Sequence, residues 1–137
     1  MSRSTTPDAE SGSGHDAATP LEVGTDRVDG ALVVHVAGEI DMNTAPSLGE
    51  SLAAAFADAA EAGNRAVVVD FGGVGFLASI GLSVLVAHHQ TGIANGTPMH
   101  LVVSSRAVRR SITSAELDRL FTMHASVEDA LRTVAAH

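Results

Sequence analysis

The segment that most constrains the fold is the apolar run from Ala66 to Phe71, which is centred on three consecutive valines. Successive side chains of a strand point to opposite faces, so a strand that is apolar at consecutive positions has to be buried on both faces. We therefore predict a central strand of a sheet that other elements cover on each side.

Helices are predicted by apolar residues that recur at helical spacing. Pro46 falls in the first turn of the first helix, where proline is tolerated, and Gly63-Asn64 ends that helix. Ser126 is the predicted cap of the last helix, which carries apolar residues on one face. The predicted helices are Thr44 to Ala62, Ser79 to about Ile93, Arg106 to about Ser114, and a last one that includes Val127 to Val134.

Short apolar runs between the helices predict the other strands. Asp29-Gly30 stands between two such runs, which is a strong signal for a β-hairpin. The predicted strands are Leu21 to Val28, Ala31 to Ala37, Ala66 to Phe71, Met99 to Val103 and a short edge strand from Leu120 to Met123. With right-handed crossovers, the order ββαβαβαβα gives an α/β fold, in which one mixed sheet of about five strands packs against about four helices.

The chain divides into a tail and one domain. Residues 1 to 19 contain almost no large apolar side chain, so burial cannot offset the entropy lost on ordering them. We expect a disordered tail over residues 1 to 19 and a single domain over residues 20 to 137. A hydrophobic content of 45% is enough to give that domain a packed core.

Charge and composition argue against several functions. The formal net charge of -8 repels a phosphate backbone, so we expect no direct nucleic-acid binding. There is no cysteine, and the histidines lack the spacing of a metal site, so neither a metal nor another cofactor is expected. No segment approaches the roughly 20 apolar residues of a membrane span, and no basic and apolar leader begins the chain. We therefore expect a cytoplasmic protein that does not bind membranes.

Two loops are expected to meet at the edge of the sheet where open α/β folds place their functional residues. These loops are Gly38 to Asn43 and Gly72 to Gly81. Ser79 is the predicted N-cap of the second helix, where its hydroxyl would accept a hydrogen bond from the amide of Gly81 or Leu82. The helix N-terminus would also stabilise a phosphate on that hydroxyl. Capping alone would explain a serine at this position.

The motifs of these loops resemble those of a known family. The stretch VVVDFGGVGFLASIGLSVLV resembles the signature of the anti-sigma factor antagonist (STAS) family, in which a strand leads into a Phe-Leu/Met-Asp-Ser-Ser/Thr-Gly-Leu turn. The first serine of that turn is phosphorylated in the family, and it corresponds to Ser79. The stretch VHVAGEIDMNTAP is similar to the family's Gly-Glu-Leu/Ile-Asp loop, matched by Gly38 to Asp41. The resemblance extends from about Leu21 to His137.

The resemblance implies a role in transcription regulation and stress-response signalling. In the family, the unmodified protein binds an anti-sigma factor that is also a serine kinase, which frees a sigma factor, and phosphorylation ends that binding. Asp41 is our preferred partner-facing residue, although it could instead cap the helix that begins near Thr44. The expected partner-binding residues are Glu39, Asp41, Asn43, Ala78, Ile80, Gly81 and Ser83.

Departures from the family pattern leave an alternative open. The acidic residue that usually precedes the phosphoserine is Ala78 here, and the usual second hydroxyl residue is Ile80. The alternative is a module of the same fold that binds a protein, a lipid or, weakly, a nucleotide without a phosphoswitch. Ala115-Glu116-Leu117 also replaces a Ser-Gly-Leu landmark, which removes a glycine that would suit a left-handed helix end.

Two other functions fit the sequence less well. Leu77 to Gly81 is one residue from a G-x-S-x-G nucleophile elbow, and Asp118 and His124 follow in hydrolase order, but no oxyanion loop precedes the serine. A receiver domain phosphorylated on Asp70 would need a lysine, and the chain has none. We expect Asp70 to bond to the glycine-rich turn instead, and we do not expect an enzyme.

Overall fold

Strands and helices follow the order that the sequence predicts. The computed structural model describes residues 19 to 136, so the predicted tail lies outside the described residues except for Thr19, as does the last residue of the predicted domain. The elements are β1 (Glu22–Val28), β2 (Ala31–Ile40), α1 (Ala45–Ala62), β3 (Ala66–Leu77), α2 (Ser79–Ala94), β4 (Met99–Val102), α3 (Arg106–Ser114), β5 (Thr122–His124) and α4 (Val127–Ala135).

The five strands form one mixed sheet in the order β1-β2-β3-β4-β5. Strands β1 and β2 pair antiparallel, and each later neighbour pairs parallel. Asp29 and Gly30, which connect β1 to β2, have φ values of 50° and 83°, the left-handed conformations that a tight hairpin turn requires. Residues 19 to 136 therefore confirm the predicted α/β fold, with a five-stranded mixed sheet, four helices and an Asp-Gly hairpin.

Both faces of the sheet are buried, as the valine run predicts. Val67 and Val69 belong to the larger core, to which α1, α2 and α3 contribute residues such as Leu48, Leu85 and Ile112. Val68 points the other way, into a smaller core with residues of α4. All three valines are completely buried. The central strand is therefore covered by three helices on one face and by α4 on the other.

Strand β3 is longer than predicted, because it continues past Phe71 to Leu77. This segment was predicted to belong to the loop from Gly72 to Gly81, but its residues pair with the end of β2 through two shifts of register. At the first shift the two backbones approach closely, since a Cβ on Gly73 would lie 2.8 Å from Cβ of Ala37. Glycine permits this close pairing, and the pairing supplies the backbone partners that a free loop would lack.

The predicted edge strand from Leu120 to Met123 is also shifted, because β5 begins at Thr122. The amides of Leu120 and Phe121 both donate to the carbonyl of Leu117, so these residues form a turn after α3 instead of pairing with β4. The predicted cap of the last helix is confirmed, since the Ser126 hydroxyl accepts a hydrogen bond of 3.1 Å from the amide of Asp129.

Candidate functional site

The two predicted loops meet at the carboxyl ends of β2 and β3. Ile40 and Leu77 are register partners at the ends of these strands. The next residue, Ala78, donates a hydrogen bond of 2.9 Å from its amide to the carbonyl of Ile40. The beginning of α2 is therefore fixed beside the segment that follows β2, as expected from the topology.

Gly81 lets α2 approach the end of β2. A Cβ at this position would lie 2.5 Å from Cγ2 of Ile40 and 2.7 Å from Cδ1 of Leu77, closer than carbon atoms can pack. Ile40 is fully buried, so it cannot move aside at low cost. Gly81 is itself buried, and its structural role is to permit this close packing. A contact between Gly81 and a partner remains a prediction.

The prediction that Ser79 caps α2 is wrong. Ala78 occupies the N-cap position and Ser79 is the first helical residue. The amides of Gly81 and Leu82 donate to the carbonyl of Ala78, at 2.9 and 3.2 Å, so neither bonds to the Ser79 hydroxyl. The cause is tertiary, because the bond from Ala78 to Ile40 places the helix start one residue before the position that a Ser79 cap requires.

Ser79 is exposed and lies at one end of an open cleft, which we call the Ser79 cleft. Its volume is about 410 Å³. None of the described residues that line it is a His, Asp or Glu, so none of them can act as a general base toward the Ser79 hydroxyl. The cleft is lined by Ser79, Leu82, Ser83, Val86, Ala87, Gln90, Ala115 and Leu117.

His124, which the hydrolase interpretation paired with Ser79, has another partner. It lies on β5, where its Nε2 is 3.0 Å from Nδ1 of His100 and the two rings stack. Burial lowers the pKa of His124 below its ordinary value of 6.5, and the nearby Asp129 carboxylate acts in the opposite direction. A serine hydrolase therefore gains no support from the contacts of His124 or from the residues of the Ser79 cleft.

Asp41 shapes the loop between β2 and α1. Its Oδ1 accepts hydrogen bonds from the amides of Asn43, at 2.9 Å, and Thr44, at 3.1 Å. The Thr44 hydroxyl in turn donates to the carbonyl of Glu39 at 2.6 Å and accepts from the Asp41 amide. Thr44 holds the N-cap position of α1 without a side-chain cap bond. The Asp41 carboxylate therefore orders the loop and bonds to the amide of the N-cap residue, but to no amide of α1 itself. It is half-buried and still reaches the surface.

The other predicted partner-binding residues lie at the end of β2, in the segment after it, or at the start of α2. Glu39, Asn43, Ile80 and Ser83 are exposed, and Ala78 is half-buried. The Ser83 hydroxyl donates to the carbonyl of Ser79, one turn earlier in α2. That these residues contact a partner remains a prediction.

Sequence reasoning missed two exposed apolar residues at this edge. Met42 has 82% of its surface exposed and Phe76 has 49%, and they accompany Ile80, which has 45%. We call Met42, Phe76 and Ile80 the apolar patch. Met42 and Ile80 line one shallow cavity, and Phe76 lies near the end of β3, opposite Glu39 of β2. They account for three of the five large hydrophobic side chains that are exposed among residues 19 to 136. The sequence could have indicated them, because each is a large apolar residue inside one of the two loop motifs.

Helix α3 ends beside the Ser79 cleft with a residue in the left-handed conformation, although that residue is not glycine. Glu116 has a φ of 60°. The amides of Glu116 and Leu117 donate to the carbonyls of Thr113 and Ile112, the hydrogen-bond pattern of a left-handed helix end. Glu116 therefore adopts the helix-end conformation that a glycine would suit. A residue with a side chain in this conformation costs about 1–2 kcal/mol of stability.

Asp70 is held by structural contacts. Its Oδ1 accepts a hydrogen bond of 2.8 Å from the amide of Gly72, which confirms the predicted bond to the glycine-rich turn. Its Oδ2 lies 2.8 Å from Nδ1 of His35, and Nε2 of the same histidine lies 3.4 Å from Asp26. These contacts account for an aspartate at the centre of the sheet without a phosphoryl-transfer role.

A family model described as the STAS domain matches residues 22 to 130, which is most of the chain. This chain belongs to the STAS domain family. The STAS domain that the two loop motifs predicted is thereby confirmed.

Among the relatives of this STAS domain are two mycobacterial proteins. The anti-sigma-F factor antagonist RsfB of Mycobacterium tuberculosis is 33% identical over 106 residues, which cover 77% of this chain and 83% of RsfB. The crystal structure of an anti-sigma factor antagonist from Mycobacterium paratuberculosis is 36% identical, with a TM-score of 0.75 over 83% of this chain and 93% of that one.

More distant structures share the fold of this STAS domain. The anti-sigma factor antagonist SpoIIAA in its unphosphorylated form is 17% identical, with a TM-score of 0.67 over 85% of this chain and 98% of that one. Within residues 19 to 136, no cluster of His, Asp or Glu has the arrangement of a metal site. None of the helices in this range has the length and hydropathy to cross a membrane.

Proposed function

We propose that this STAS domain is a cytoplasmic anti-sigma factor antagonist that binds an anti-sigma factor serine kinase while Ser79 is unmodified, and that phosphorylation of Ser79 ends the binding. The names of the two mycobacterial relatives support the role of anti-sigma factor antagonist. The observation that carries the second part is that the Ser79 side chain is exposed at the first position of α2, next to Ile80 of the apolar patch.

The helix N-terminus can accept a phosphate on Ser79. Hydrogen bonding within α2 starts from the carbonyl of Ala78, so the amides of Ser79 and Ile80 precede the first intrahelical bond. The first turn of α2 contains no acidic residue. A negative charge there gains about 0.3–1 kcal/mol from the helix dipole. Because Ala78 caps the helix, modification of the hydroxyl also removes no capping bond, and the fold should survive it.

The same phosphate would oppose binding of a partner. It adds about -1.5 to -2 charges beside exposed apolar side chains. A partner surface that fits these side chains and a neutral hydroxyl would have to desolvate a dianion. The described residues of the Ser79 cleft include no arginine, so none of them could neutralise the phosphate once a partner covered it. We therefore expect a change at the surface and little change in the core.

One observation favours the alternative of a constitutive binding module. Ala78 and Ile80 flank Ser79 with apolar atoms, where the family pattern has an acid and a second hydroxyl. Ile80 makes the surface around the serine more apolar, which suits protein binding but removes features that a kinase could recognise. Such a module would bind a protein partner equally well before and after incubation of that partner with ATP.

Phosphorylation by the cognate kinase separates these two functions. Wild type, Ser79→Ala and Ser83→Ala would be incubated with the kinase and Mg-ATP, and the intact mass and the modified peptide would be measured. Ser83 is the matched control, because it is an exposed serine one turn further along α2 and also lines the Ser79 cleft. We expect one phosphate on wild type and Ser83→Ala and none on Ser79→Ala. A wild-type protein that binds the kinase but stays unmodified would favour the constitutive module.

A further inference from the structure

A second cavity lies at the opposite edge of the sheet from Ser79, at the amino ends of three strands. Ala66 and Thr122 are the first residues of β3 and β5, and Pro98 immediately precedes β4. The cavity is half-enclosed and has a volume of about 400 Å³, within the size range of small-molecule sites. We call it the amino-edge cavity, and it is lined by Arg65, Ala66, Pro98, His100, Thr122, Thr133 and Val134.

The amino-edge cavity combines apolar walls with one positively charged side chain. Its surface is mainly apolar, with Ala66, Pro98 and Val134 among its walls. Arg65, the one arginine among the described residues of the lining, is exposed. Within residues 19 to 136, Arg65 forms no ion pair with a carboxylate. A cation without a carboxylate partner beside an apolar cavity is complementary to a ligand that has one anionic group and an apolar body.

Arg65 has a structural contact that does not use its full binding capacity. One terminal nitrogen donates a hydrogen bond of 3.2 Å to the carbonyl of Val134, near the end of α4. A guanidinium has five N–H donors in a planar arrangement, so it can bond to a carbonyl and still bind a carboxylate. The helix-capping contact would also hold the guanidinium in place at the cavity.

We propose that the amino-edge cavity binds a small carboxylate with an unbranched apolar chain, with the carboxylate on Arg65 and the chain against Ala66, Pro98 and Val134. This site is independent of the proposed partner surface, because the lining of the cavity and the lining of the Ser79 cleft share no described residue. Failure of either proposal therefore leaves the other one unaffected.

The test is a titration of the full chain, followed by backbone amide shifts in NMR spectra. Octanoate is the probe, butanoate tests the need for an apolar chain, and octan-1-ol tests the need for the charge. Arg65→Gln removes the proposed anion contact, and Arg110→Gln is the control, since it removes the same charge from an exposed position on α3. Thr122→Leu places a larger side chain in the cavity, at the exposed start of β5, and leaves residue 65 as arginine.

Octanoate should give saturable shifts confined to residues around the amino-edge cavity, and butanoate and octan-1-ol should bind at least about 10-fold more weakly. Arg65→Gln should weaken octanoate binding by about 10- to 100-fold, and Arg110→Gln should leave it unchanged. Thr122→Leu should also weaken it, which keeps the test decisive if Arg65→Gln does not fold. No saturable binding, equal binding of octan-1-ol, or shifts centred on the Ser79 cleft would overturn the proposal.

Discussion

The amide of Ala78 donates a 2.9 Å hydrogen bond to the carbonyl of Ile40, and this bond joins the start of α2 to the end of β2. It determines which residue caps the helix, and it thereby places Ser79 one position into the helix with its side chain exposed. One junction between two strands and a helix thus fixes where the exposed serine, the helix N-terminus and the loop after β2 lie.

Gly81→Ala should disturb this junction and lower the free energy of unfolding by about 1–2 kcal/mol. The new methyl group would overlap Ile40 and Leu77, and such overpacking costs about 1–3 kcal/mol. The gain in helix propensity from replacing glycine recovers at most about 1 kcal/mol of this.

Gly49→Ala is the matched control for urea denaturation of this variant. At Gly49, in the second turn of α1, the new Cβ would lie 3.8 Å from Cγ1 of Val84, an ordinary contact. This variant should gain about 0.4–1 kcal/mol. If both alanines raised stability equally, close packing at Gly81 would not be the reason for its glycine.

Asp41→Ala should lower the free energy of unfolding by about 1 kcal/mol, because two amides of the loop lose their acceptor. Asp41→Asn keeps an acceptor oxygen and should retain most of the stability. Denaturation and kinase binding would be measured on both variants. Normal stability of Asp41→Ala together with lost binding would show that the residue acts as a partner contact and that its bonds in the loop contribute little.

Met42→Ser and Phe76→Ser should each weaken binding of the cognate kinase by about 10-fold, since large exposed apolar residues are frequent anchors of interfaces. Their stability should stay within about 0.5 kcal/mol of wild type, because both side chains are largely exposed. Ile93→Ser is the control, as Ile93 is 60% exposed at the other end of α2. Equal loss of binding in all three variants would mean that the apolar patch has no special role.

The stability of the domain should fall in mild acid partly because of His124. Burial lowers its pKa in the folded state, and Asp129 offsets this only in part. As the pH falls below 6.5, the unfolded chain binds a proton that folded His124 resists, so the unfolded state gains stability. Above that pH the residue has no such effect.

His124→Gln should therefore show a smaller fall in Tm than wild type between about pH 7.5 and about pH 5.5. The comparison with the variant isolates the contribution of His124 from every other source of acid sensitivity. Parallel Tm profiles of the two proteins would contradict the stated origin of the acid sensitivity.

Local patterns predicted most of this fold. The valine run predicted a strand buried on both faces, and Asp29-Gly30 predicted the hairpin, because each depends on a few neighbouring residues. The cap of α2 was wrongly predicted because it depends on a bond to Ile40, which is distant in sequence. The extension of β3 was missed because pairing with β2 outweighs the flexibility of its glycines.

The candidate site was predicted in part for the same reason. The motifs predicted that the loops around Asp41 and Ser79 are neighbours, since strand order determines that arrangement. Met42 and Phe76 were missed because exposure depends on tertiary packing, and an apolar residue in a sequence is more often buried.

The most direct test of the switch is the affinity of the cognate anti-sigma factor kinase for wild type, Ser79→Asp and Asn95→Asp, measured by calorimetry without ATP. Asn95→Asp adds the same charge at the exposed far end of α2. We predict that Ser79→Asp keeps the wild-type fold and binds at least about 10-fold more weakly, while Asn95→Asp binds normally. Wild-type affinity in a folded Ser79→Asp protein would contradict the account.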